Sequence, residues 1–165
     1  MLMLQSSTGH ASLSGKFYNL GNAAANTGAK QNRVLDSIDW QVGAFGGQAL
    51  VGYQTSTPDG GVKTTDLSVG GRVSYAIHQN VKLLGDVGVT SREIDGQARQ
   101  RLNKATVAVA FSPDGKFWTR PEFRVYATRA NWNSAADQAN NGAGSFGGLG
   151  KSNANTYGVQ MEYWF

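Results

Sequence analysis

Trp118 and Trp164 are the residues of this 165-residue chain whose placement points to chemistry. Each stands on the polar side of a segment in which apolar and polar residues otherwise alternate. Trp118 follows Pro113-Asp114-Gly115, and Trp164 is one residue from the chain end. If their segments are adjacent antiparallel strands, both indoles come to the same end and the same face. A pyranose ring has an apolar C–H face and a hydroxyl edge. An indole suits the face, and charged or hydroxyl-bearing side chains suit the edge. Arg120, Glu122, Arg124, Tyr126 and Glu162 share the polar parity, so they complete the candidate sugar-binding set. The residues leave a second reading open, in which two inward aromatics only fill the interior of a narrow or plugged barrel.

Other chemistry has little support. With no Cys, a disulfide scaffold, thiolate metal sites and a Cys nucleophile are excluded. His10 and His78 are the only histidines, and neither has convergent partners. No metal or cofactor is expected. Asp36 and Asp39 are three apart, which on a strand places them on opposite faces. Paired acid–base work is therefore not expected of them. Asp114 reads as a turn residue, and Gly70-Gly71 lies within a strand, without the strand-to-helix setting of a phosphate loop. No Ser-His-Asp or paired-carboxylate set shares a face, so no enzyme is expected. The net charge of +4 is scattered without a run of like charges, which argues against a nucleic-acid partner.

The elements that must position these residues are strands. In 156–165, Tyr157, Val159, Met161, Tyr163 and Phe165 alternate with Gly158, Gln160, Glu162 and Trp164. In 117–128, Phe117, Thr119, Pro121, Phe123, Val125 and Ala127 alternate with Trp118, Arg120, Glu122, Arg124, Tyr126 and Thr128. Ala105, Val107, Val109 and Phe111 oppose Lys104, Thr106 and Ala108. Val81, Leu83, Val87 and Val89 oppose Lys82, Asp86, Thr90 and Arg92. Similar splits over 66–78, 48–54 and 33–42 bring the total to seven strands, and Met1 to Ser6 reads as the tail of an eighth. Most run to about ten residues, longer than the soluble average and suited to a tilted bilayer crossing.

The connections alternate between short and long. Residues 44–47, 78–80 and 112–116 read as tight turns, and 57–63, 94–101 and 132–155 as longer loops. Transmembrane barrels have this asymmetry. Hydropathy windows would class the chain as soluble, and Met1 to His10 lacks the features of a signal peptide. Alternating strands, however, escape such windows. The polar parity would then line a lumen and the apolar parity face lipid. Tyr157, Tyr163, Phe165, Phe117 and Phe111 would form an interfacial girdle near strand ends. A soluble antiparallel sheet with one wet face explains the alternation equally well, but not the strand length or the loop pattern. The chain therefore reads as a single all-β unit over 1–165, an antiparallel transmembrane β-barrel segment.

The run Phe117-Trp118-Thr119-Arg120-Pro121-Glu122-Phe123-Arg124-Val125-Tyr126-Ala127-Thr128, followed by Trp132, resembles the penultimate strand of maltoporins and related carbohydrate-selective porins. Gly158 to Phe165 resembles their last strand, Gly144-Ser145-Phe146-Gly147 part of their last outer loop, and Arg33-Val34-Leu35-Asp36 a further signature. The resemblance implies an eighteen-stranded barrel in the bacterial outer membrane, assembled as a homotrimer, that passes maltodextrins or other sugars by facilitated diffusion. Trp118 and Trp164 match two positions of the family's aromatic track, the greasy slide, at its periplasmic end. Phe165 is similar to the aromatic C-terminus of outer-membrane barrels. Pro121 implies a local irregularity in its strand. Eight strands correspond to the last part of such a barrel, so the chain is expected to be a fragment lacking the earlier strands and a signal peptide. The alternative is a complete small eight-stranded outer-membrane protein with a structural or adhesive role.

Overall fold

A computed structural model describes residues 1–9, 28–140 and 150–164. Its strands are β1 (Leu2–Thr8), β2 (Lys30–Val42), β3 (Phe45–Thr57), β4 (Thr64–His78), β5 (Val81–Ile94), β6 (Gln100–Phe111), β7 (Glu122–Trp132) and β8 (Asn153–Glu162). They form one sheet in sequence order, each antiparallel to the next, with β1 and β8 at its edges. His10, the segment Gly144 to Gly147 and Phe165 lie outside the described residues.

Register keeps the parity of each strand in step with its neighbour. Ser74, Leu84, Ala108, Tyr126 and Gly158 form one row across β4 to β8. Val73, Gly85, Val107, Ala127 and Tyr157 form the adjacent row on the opposite face. The first face is the covered one: Ala110 and Lys82 are fully buried, and Leu84 and Ala108 nearly so. On the other face Val107 is 66% exposed, Val87 63% and Val159 66%. That is the reverse of a soluble half-buried sheet, in which the apolar parity would be hidden. Asp36 departs from the pattern, standing mid-strand in the outer apolar row opposite Val51. Gly70 lies where an added Cβ would come 2.9 Å from the Val87 carbonyl oxygen, so Gly70-Gly71 permits close strand approach, not phosphate binding.

Two connections differ from the sequence reading. The connection between β6 and β7 is not a tight turn over 112–116 but a strap over 112–121, and β7 starts at Glu122, not at Phe117. Pro121 has no N–H for a ladder, so it falls just before the strand. The two other connections on this side are two-residue turns, at Gly43–Ala44 and Gln79–Asn80. At the opposite end 58–63 and 95–99 join β3 to β4 and β5 to β6, so the expected alternation of short and long fails at the strap, the longest connection on its side. The loop after β7 contains a short helix, α1 (Ser134–Ala139), capped where Asn133 Oδ1 accepts from Ala136 N at 3.1 Å. Ala136 and Trp132 are buried there, and α1 lies against β6.

The strap turns inward. Gly115 lies beside Ala76 of β4, and the Lys116 carbonyl accepts from Lys82 Nζ of β5 at 2.9 Å. Phe117 N donates to Gln41 Oε1 of β2 at 2.8 Å. The chain then doubles back, and Arg120 reaches Glu162 of β8 at 3.2 Å. The strap therefore crosses the covered face of β5, β4 and β3 at the short-turn end. Phe117, expected in an interfacial girdle, is instead 5% exposed, because its ring lies on that face.

Candidate functional site

The strap brings the two indoles together. Trp118 and Trp164 have ring centroids 6.3 Å apart with planes inclined at 49°, so they form an angled platform. Trp118 is 45% exposed and Trp164 52%. Phe117 meets Trp118 edge-on at 5.0 Å and supports it from the buried side. The Arg120 guanidinium lies 4.5 Å from the Trp164 ring centroid. Arg120 is itself buried, so it covers one face of that ring and leaves the other available.

Beneath the platform lies a charged network. Lys82 Nζ is 2.7 Å from Glu122 Oε2, with both side chains essentially buried. Arg124 approaches Glu122 at 3.5 Å and Glu162 at 2.6 Å. Arg120 donates to the carbonyls of Phe117 and Thr119 at 3.0 and 2.9 Å as well as to Glu162. Three cations thus surround two carboxylates, and Lys82 and Arg120 also hold carbonyls of the strap.

Of the candidate sugar-binding residues, Trp118, Trp164, Tyr126 and Glu162 have exposed surface on the covered face, where a solute could reach them. Arg120, Glu122 and Arg124 adjoin the same platform but lie under it, with side chains 5%, 2% and 7% exposed. They hold the platform and the strap. Strand parity alone suggests a lining role for them, but the overlying strap and Lys82 cover them.

Further along the same face, a groove of about 320 Å³ is lined by Gln48, Ser68, Arg72, Asp86 and Thr90 over Gly70 and Gly88. Arg72 and Asp86 pair there at 3.1 Å and are partly exposed. Parity places these residues inward, but their convergence depends on register. Cross-strand pairing of Arg72 with Asp86 is the signal that could have found them.

Asp114 anchors the outer end of the strap. Its carboxylate accepts from the Thr119 hydroxyl, and from Lys116 N at 2.8 Å. These bonds, the Thr119 one first, hold its pKa below the ordinary carboxylate value. A lowered folded pKa means that the anchor's contribution is present above the unfolded value and is lost as pH falls through the folded one. Tryptophan emission of the folded protein should therefore change on acidification below about pH 4, the ordinary Asp range. The Asp114→Asn variant should lack that component, and identical titrations would exclude Asp114 as the anchor.

Over 98 residues the chain is 33% identical to a maltoporin of Hahella chejuensis, covering 59% of this chain and 22% of that protein. Over 132 residues it is 28% identical to a maltoporin of Photobacterium profundum, covering 80% of this chain and 28% of that protein. The chain thus spans about a quarter of the length of these curated relatives. A family model described as LamB porin matches residues 1–165. With that match along its whole length, and with an apolar outer face and a polar, strap-covered inner face on one antiparallel sheet, the chain belongs to the LamB porin family.

Proposed function

We propose that this chain forms part of the wall of a carbohydrate-selective porin in the bacterial outer membrane, through which maltodextrins or related sugars pass by facilitated diffusion. The observation that carries the reading is the half-exposed pair of indoles, 6.3 Å apart, above a charged network. A sugar ring slides along such a platform without a deep well, because stacking is non-directional while Glu162, Tyr126 and the more distant Arg72–Asp86 pair exchange hydrogen bonds with hydroxyls. Passive selectivity needs weak contacts of this kind, favourable enough to admit the solute and weak enough to release it.

The functional barrel contains more strands than these eight. Edges β1 and β8 would leave backbone groups unpaired in hydrocarbon, and closure satisfies them. The open sheet supports this over a complete eight-stranded anchor protein. We assign the chain to the C-terminal part of a homotrimeric barrel, with outer-membrane lipid against its apolar face and no nucleic-acid partner. The test is ion current through the assembled porin in a planar bilayer. Linear maltodextrins should reduce it in a saturable manner. A current unaffected by any linear oligosaccharide would overturn the proposal.

A further inference from the structure

The platform that carries the proposed sugar contact is built on residues far from it in sequence. Gln41 of β2 is 76 positions from Phe117, yet its Oε1 accepts the Phe117 N–H at 2.8 Å. The same amide is fixed at its other end, where Nε2 donates to the Gly43 carbonyl at 2.7 Å. Gly46 of β3 supplies the space: a Cβ there would fall 2.7 Å from Phe117 Cβ and 2.5 Å from Gln41 Oε1. Side-chain atoms do not approach so closely, so any larger residue must displace Phe117 or the Gln41 amide.

We infer that Gln41 and Gly46, at the β2–β3 hairpin, are positioning residues for the Trp118 platform, and that they set the strength of sugar contact without touching the sugar. This rests on the function proposed above. The hairpin holds Phe117. Phe117 meets Trp118 edge-on at 5.0 Å, and Trp118 faces Trp164. The Lys82 bond to the Lys116 carbonyl, 2.9 Å long, secures the strap one residue earlier. Together these bonds hold both sides of the Lys116–Phe117 peptide group, immediately before Trp118. If the hairpin anchor is lost, Phe117 can leave its seat and the angle between the indoles is no longer defined.

The test compares Gln41→Leu, which keeps the volume and removes the acceptor, with Gln41→Glu, which keeps an acceptor for the Phe117 N–H. Both are made in the assembled porin, with Gly46→Ala as an independent way to unseat Phe117. Loss of one such hydrogen bond should raise the half-blocking concentration of a linear maltodextrin about three- to tenfold in Gln41→Leu and Gly46→Ala. Gln41→Glu should raise it less than Gln41→Leu, since its carboxylate still accepts the Phe117 N–H although the donation to Gly43 is lost. A second readout needs no sugar. Acrylamide quenching of Trp118, isolated as the difference from a Trp118→Phe background, should rise more in Gln41→Leu than in Gln41→Glu. If Trp118→Ala weakens the block but Gln41→Leu and Gly46→Ala do not, the positioning role is overturned and the sugar reading stands. If maltodextrins do not block at all, the proposed function fails, and the quenching pattern alone decides whether the hairpin seats the strap. Equal quenching in the parent and Gln41→Leu would refute that as well.

Discussion

Replacing Trp118 with alanine in the assembled porin should raise the half-blocking concentration of a linear maltodextrin about tenfold, equivalent to about 1.4 kcal/mol of lost contact. Trp164→Ala should act similarly, because a sugar that spans the angled pair uses both rings. The estimate follows from the geometry. Each indole has about half its surface open, at 45% and 52%, so a stacked ring would cover a substantial apolar area at little ordering cost. Phe117 beneath Trp118 and Arg120 beneath Trp164 fix the rings before a sugar arrives. Phe123→Ala is the control. Phe123 lies in the outer row opposite Met161, is 43% exposed, and should leave the block within about twofold of the parent. Equal effects at all three positions would show that the loss reflects general loosening and not stacking.

The second large effect concerns stability. Glu122→Gln should destabilise the folded protein by about 3–5 kcal/mol, measured by reversible denaturant unfolding in detergent micelles or bilayers. Glu122 is 2% exposed and neutralises Lys82, which is fully buried, at 2.7 Å. Without that carboxylate, Arg120 and Arg124 share Glu162 alone, and Lys82 loses its ion-pair partner. Breaking one partner of a buried pair costs far more than the pair is worth, because the remaining charge stays desolvated. The double variant Lys82→Met/Glu122→Gln should therefore recover most of the loss. Glu93→Gln provides contrast: Glu93 pairs with Arg99 with both side chains about half exposed, and such pairs contribute at most about 1 kcal/mol. A loss below about 1 kcal/mol in Glu122→Gln, or no recovery in the double variant, would contradict a structural role for the network.

Both predictions depend on the strap, the feature least visible in the sequence. Alternation revealed the strands and their faces, because period-two patterning and register express one constraint. It also brought Trp118 and Trp164 to the same end. The strap escaped because Phe117, Thr119 and Pro121 continue the apolar parity of Phe123 and Val125 by coincidence, so the pattern of a strand extends through 117–128. Pro121 was the local sign of a boundary. Nothing near Phe117 in the chain indicates Gln41 or Gly46 as its seat, since that contact depends on how the sheet curves. Arg120, Glu122 and Arg124 were legible as inward-facing charges, but their burial was not. It arises from the strap above them and from Lys82, two strands away from Glu122.

The central claim is that one parity of this sheet faces a water-filled bore and the other faces lipid. The chain contains no cysteine, so single cysteines can be introduced without background from it. Cysteines placed in turn at 104 to 107 of β6 in the membrane-inserted porin should react with a membrane-impermeant thiol reagent at Lys104 and Thr106, which lie on the inner parity and keep exposed surface. They should be inert at Ala105 and Val107, with a stepwise drop in current at the reactive positions only. Uniform labelling, or labelling of the apolar set, would contradict the account.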